Sequence, residues 1–150
     1  MIRPTDTYRL MNDFTTAVSV EKDRGAVATM LSENVEFVTV TDDSKKSVVG
    51  LDNVLDLFEK YIWSNTEQVS ILSYSVKDAD TMTPKTKMTV LEKKARDGKW
   101  EWHKFKLVTK HELTVQDNAL VISRLETIQK QQYTPDRTFT PWKSYPSDES

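Results

Sequence analysis

An α+β fold, with its helices leading and an antiparallel sheet following, is what this chain predicts. Three observations carry it. Helical apolar spacing is confined to the first 63 residues, period-two alternation dominates residues 69–128, and two short turn signals divide that second half into hairpins. Arg96-Asp97-Gly98-Lys99 holds the Asp-Gly pair favoured in two-residue primed turns, and Gln116-Asp117-Asn118-Ala119 holds a weaker Asp-Asn version.

The elements follow in order. Tyr8, Met11, Phe14 and Val18 recur at helical spacing, predicting a helix over 5–20 with Thr5 or Asp6 as cap. Asp23 is placed to cap a second helix, 24–31, whose stripe is Val27, Met30 and Leu31. Residues 35–40 (Val-Glu-Phe-Val-Thr-Val) read as a strand, Asp42-Asp43-Ser44 as a solvated turn, and 46–49 as a short return. Leu51, Val54, Leu55, Phe58, Tyr61 and Ile62 give the helix over 51–63 a wide apolar face, with Asp52 in its first turn. Strands are then predicted at 69–77, 82–95, 100–115 and 120–128. One domain is expected over 1–128. Periodicity stops at Gln129, and three of the five prolines (135, 141 and 146) fall in 129–150, an irregular tail that Phe139 and Trp142 could dock.

Composition narrows the chemistry. The 150 residues contain no cysteine, so disulfides, thiolate metal sites and a cysteine nucleophile are excluded. Two histidines make a dedicated metal site unexpected, and three glycines leave no phosphate-cradling loop. The start, Met1-Ile2-Arg3-Pro4-Thr5-Asp6, lacks an apolar run, and no segment approaches the ~20 residues of a membrane span, so a soluble, cytoplasmic protein is expected. Residues 85–112 carry nine Lys/Arg against four Asp/Glu although the whole chain is at −2. That polarity could serve an acidic ligand or nucleic acid, but lysine on an outer sheet face is also how sheets stay soluble, and the second reading is preferred.

The two turns set a register. They pair Val90 with Phe105, Met88 with Leu107, Leu107 with Ile128, Leu113 with Ile122 and Val115 with Leu120, an apolar face across three strands. On that face Thr86 opposes Thr109, Thr109 opposes Glu126, and His111 opposes Arg124. His111, Arg124 and Glu126 thereby become candidate catalytic residues: Glu126 orienting His111 as a base, Arg124 holding an anion. The competing reading is an ordinary Arg124–Glu126 ion pair near the sheet rim, and it is preferred. Glu92 opposes His103, which lies eight residues and roughly 26 Å from His111, too far to share a metal. Trp100, Trp102, Lys104 and Lys106 fall on the outer face with Val108, where Trp102 faces Lys93 as a cation–π pair. A homodimer through Trp100, Trp102 and Val108 is expected ahead of a nucleic-acid surface.

The element order, together with residues 22–37 (Lys-Asp-Arg-Gly-Ala-Val-Ala-Thr-Met-Leu-Ser-Glu-Asn-Val-Glu-Phe) and 49–58 (Val-Gly-Leu-Asp-Asn-Val-Leu-Asp-Leu-Phe), resembles the NTF2-like superfamily over residues 5–128. The resemblance implies an α+β cone in which three N-terminal helices close the concave side of a strongly bent antiparallel sheet. It also implies a largely apolar pocket, with Phe14, Phe37, Tyr61, Met88, Val90, Phe105 and Leu107 as candidate ligand-binding residues. The superfamily spans ketosteroid isomerases, polyketide (SnoaL-like) cyclases, dehydratases, epoxide hydrolases and non-catalytic association domains, so fold alone does not assign function. The isomerase pattern puts a carboxylate in mid first strand, where this chain has Phe37, Val38 and Thr39. That departure favours a non-catalytic binding or association module. The alternative is a cofactor-independent isomerase, cyclase or dehydratase acting on a small hydrophobic substrate.

Overall fold

Helix signals and strand signals segregate in space as they do along the chain. The computed structural model describes residues 3–40, 44–63, 66–96 and 99–133. Helix α1 (Pro4–Thr16) begins with proline at its first position and buries Leu10, Met11 and Phe14; it loosens into a π-helical turn, Ala17–Glu21, that ends at Lys22 in the left-handed region (φ 54°). Helix α2 (Arg24–Thr29) starts at Asp23, whose Oδ1 accepts from the Ala26 N–H at 3.1 Å. Helix α3 (Leu51–Leu57) passes directly into a second π-helical turn, Phe58–Trp63. Gly50 precedes it at φ 104°, a value L side chains rarely adopt, and its N–H reaches the Val35 carbonyl at 2.9 Å.

The strands are β1 (Leu31–Val40), β2 (Lys45–Val49), β3 (Thr66–Lys77), β4 (Lys85–Arg96), β5 (Lys99–Gln116) and β6 (Ala119–Tyr133). They form one sheet in the order β2-β1-β6-β5-β4-β3. The sheet is mixed rather than wholly antiparallel, because β1 pairs with β6 in parallel, Phe37 beside Leu125 and Thr39 beside Thr127. Sequence-adjacent turns could not reveal a pairing between segments almost ninety residues apart in the chain. Strand β6 also runs past Gln129 to Tyr133, so the ordered sheet extends five residues beyond the expected boundary. The expected turns at Asp42-Asp43 and Asp97-Gly98, and the tail segment bearing Phe139 and Trp142, lie outside the described residues.

The predicted register is observed between β4 and β5: Val90 opposes Phe105, Met88 opposes Leu107, Thr86 opposes Thr109, and Glu92 opposes His103. Near the second turn it also matches. Asp117 and Asn118 both adopt positive φ (53° and 65°), as a type I′ turn requires, and Leu113 faces Ile122. Beyond that point β6 departs from it. A bulge at Ser123, whose Oγ donates to the Glu112 carbonyl at 3.0 Å, inserts one residue between Ile122 and Arg124. From there on Leu107 pairs with Gln129, Thr109 with Thr127 and His111 with Leu125.

Two apolar clusters result. One packs the helices on the concave face around Met11, Val27, Val54, Phe58, Ile122 and Leu125; the other gathers Met88, Val90 and Phe105 with Val69, Ile71, Tyr74 and Leu107. Phe58 stands edge-on to Phe37 and to Trp63, with centroids 5.2 and 5.9 Å away. On the outer face Lys93 Nζ sits 5.8 Å from the Trp102 ring centroid, the cation–π pair expected from the register.

Candidate functional site

Between the two clusters lies a cavity of about 440 Å³, within the range of small-molecule sites. Phe14, Phe37, Met88, Val90, Phe105 and Leu107 all line it. Tyr61 belongs to the second π-helical turn, and its side chain lies outside the described residues. Both π-helical turns contribute to the wall: Val18 and Ser19 from the first, Phe58 and Trp63 from the second. The Trp63 indole N–H donates to the Val18 carbonyl at 2.8 Å, tying the two together. Thr15, on α1, donates to the Tyr74 hydroxyl at 3.4 Å, and burial pushes the Tyr74 pKa up.

His111 is the polar side chain with the most defined environment. It is 3% exposed, borders the cavity and faces Leu125 across the strand pair. The Pro84 carbonyl accepts twice from this residue, from the backbone N–H at 3.0 Å and from ring Nδ1 at 3.1 Å. A carbonyl can only accept, so Nδ1 carries the proton and Nε2 holds the lone pair. Burial drives the pKa down to about 4, only partly offset by the Pro84 hydrogen bond. Above that pH the ring is neutral, with a fixed tautomer and one unprotonated nitrogen.

The predicted companions of His111 are elsewhere. Because the Ser123 bulge reverses the inward and outward alternation of β6, Arg124 and Glu126 project to the outer face while Leu125 and Thr127 line the cavity. Arg124 there donates from Nε to Glu36 at 3.0 Å, contacts Glu126 at 3.1 Å and lies 3.7 Å from Glu112. The trio His111, Arg124 and Glu126 is therefore not brought together; Arg124 and Glu126 do form an ion pair, but on an interior strand of the sheet and shared with Glu36 rather than at the rim. The expected dimer face also changes character: Trp102 is only 7% exposed within the single chain, the Trp100 side chain lies outside the described residues, and Val108 is half-buried.

What replaces the missing pair is a row of hydroxyls. Thr39 on β1 pairs with Thr127 on β6, Thr127 with Thr109 on β5, and Thr109 with Thr86 on β4, all four lining the cavity. Thr109 and Thr127 hydrogen-bond through their hydroxyls at 3.2 Å. Sequence reading identified Thr86 opposite Thr109 but missed Thr39 and Thr127, since only the bulge and the parallel pairing bring them in. It also missed Ser19 and Lys22, which reach the cavity because α1 ends in a π-helical turn. Glu92 lines the cavity beside the buried His103. Among the described residues no three His, Asp or Glu side chains gather as a metal site.

No protein-family model and no curated protein matches this chain. Solved structures do. A hexachlorocyclohexane dehydrochlorinase, LinA-type3 from Novosphingobium barchaimii LL02, superposes with a TM-score of 0.66 at 14% identity, covering 91% of this chain and 93% of its own. A protein assigned as a ketosteroid isomerase from Kribbella flavida DSM 17836 gives 0.60 at 16% identity, covering 88% and 83%. One assigned as a polyketide cyclase from Xanthomonas campestris pv. campestris gives 0.63 at 13%, covering 83% and 90%. These are NTF2-like structures, and this chain has their α+β cone fold. No helix among the described residues is long and apolar enough to cross a membrane.

Proposed function

We propose that this protein is a cofactor-independent enzyme that moves a proton on a small, uncharged, largely apolar substrate, in the manner of an isomerase, cyclase or dehydratase. The observation that carries this reading is His111: a neutral imidazole in the wall of a mostly apolar cavity, with its tautomer set by Pro84 so that Nε2 is the basic nitrogen. Structural neighbours named as a dehydrochlorinase, an isomerase and a cyclase support it over the non-catalytic module, which the lack of a carboxylate in mid β1 had favoured. His111 supplies a base from a different strand. In the proposed step Nε2 removes a proton from the carbon next to a carbonyl, the C–H electron pair moves into the carbonyl π system, and negative charge collects on oxygen. The imidazolium then returns the proton to the same or a conjugated carbon, or to a leaving hydroxyl.

The test is deuterium exchange at the α-carbon of 2-tetralone, an uncharged bicyclic ketone, followed by proton NMR in D₂O. The protein should accelerate exchange, and His111→Asn, whose amide nitrogen can replace Nδ1 toward Pro84, should remove the acceleration while leaving 2-tetralone binding in place. Binding without accelerated exchange in the unmodified protein would instead support the association module.

A further inference from the structure

A base with a pKa near 4 keeps its lone pair at neutral pH, but it is too weak to remove a carbon-bound proton unless the charge developing on the substrate oxygen is stabilised. The hydroxyl row, which lines the cavity on the same sheet face as His111, can donate hydrogen bonds to that oxygen. Each threonine hydroxyl has one proton to give. In the Thr109–Thr127 pair one hydroxyl donates to the other, which leaves a single proton of the pair for a further acceptor. Thr39 and Thr86 make no side-chain hydrogen bond among the described residues, although Thr86 is 3% exposed. Neither hydroxyl is a fully buried polar atom left without a partner, so both are open to the cavity, where they can donate to a bound acceptor. Thr109 is also two residues from His111 on the same strand face, about 7 Å at the usual strand rise.

We infer that the row Thr39–Thr127–Thr109–Thr86 is a hydrogen-bonding rail that selects an uncharged substrate bearing acceptor oxygen and holds that oxygen beside His111. The inference rests on the proposed proton transfer for the direction of the chemistry, but the selection itself is a matter of binding. Threonines whose methyl groups keep the wall apolar while their hydroxyls donate suit a ketone or hydroxyketone on a hydrocarbon frame. They give nothing to a bare hydrocarbon of the same shape, and they offer no charge to an anion.

The experiment compares two probes of nearly equal size, 2-tetralone and tetralin, on the full chain and on Thr86→Val and Thr109→Val. Valine keeps the shape and removes the hydroxyl. Thr86→Val should weaken 2-tetralone binding about fivefold, as expected for loss of one neutral hydrogen bond, Thr109→Val should weaken it less because Thr127 then keeps its own proton for the ketone, and tetralin binding should stay level or tighten in both. Thr86→Ser should restore the ketone affinity, which separates a lost hydroxyl from a disturbed fold. If both probes weaken together, if neither changes, or if 2-tetralone does not bind the unmodified protein, the rail is overturned. The two readings fail separately: ketone preference that survives loss of exchange removes the base and keeps the rail, whereas exchange without ketone preference does the reverse.

Discussion

Acidifying the protein from pH 7.5 to 4 should cost stability through His111 alone by about 3 kcal/mol. In the folded chain burial among Leu125, Pro84 and the cavity wall lowers the imidazole pKa to about 4, whereas an unfolded chain restores a value near 6.5. The folded value is the lower one, so between pH 6.5 and 4 the unfolded state binds the extra proton and is favoured. Stability therefore falls as pH falls through that window, levels off below it, and owes nothing to this group above pH 6.5. A difference of about 2.5 pKa units at 1.36 kcal/mol each gives the figure. Carboxylates titrate nearby, so the assay is a difference: urea denaturation at half-unit intervals for the unmodified protein and for His111→Asn. The variant is less stable at pH 7.5 because a smaller side chain leaves space, but the gap between the two proteins should close by roughly 3 kcal/mol on the way to pH 4. A gap that stays constant within about 1 kcal/mol would show that His111 titrates normally and is not a buried neutral imidazole.

Two further substitutions test the placement of other residues. Glu126→Gln should lose about 1 kcal/mol by thermal denaturation, because Glu126 shares Arg124 with Glu36 and Glu112 on a partly exposed face; 2-tetralone binding should be unchanged, and a loss of binding would return Glu126 to the cavity. Asp23→Ala removes the acceptor for the Ala26 N–H and should destabilise the fold by about 1 kcal/mol in urea titration, with Asp23→Ser recovering most of it; equal stability of Asp23→Ala and the unmodified protein would refute the cap.

Much of this architecture is legible before any coordinates, for identifiable reasons. Asp97-Gly98 and Asp117-Asn118, with the alternation of residues 85–115, define two local pairings in the sequence, so Val90–Phe105 and Met88–Leu107 across the first and Leu113–Ile122 across the second are predictable from turns and a period of two. Six of the seven proposed lining residues border the cavity, because large apolar side chains on the inward face have nowhere else to go. The polar part of the site is not legible in the same way. A bulge at Ser123 depends on how β6 fits between β5 and β1, and Ser-Arg in a strand carries no signal of it. The π-helical turns are similarly hidden, since Ala17–Glu21 and Phe58–Trp63 keep ordinary helical composition. His111 was visible as an inward histidine, but its tautomer depends on a carbonyl 27 residues away.

The bulge at Ser123 also says how such a cavity can change its chemistry. With one residue more or fewer in that stretch of β6, the side chains now facing the helices and those now facing outward would exchange places: Leu125 and Thr127 would leave, and Arg124 and Glu126 would enter beside His111. A single codon gained or lost there would bring a further cation and a further carboxylate onto the sheet floor beside His111, in place of Leu125 and Thr127, without altering any residue that forms the helices or the opposite half of the sheet. Point substitutions would need several steps to reach the same result. At this position an insertion or deletion within a strand would rewrite the polar lining of the interior.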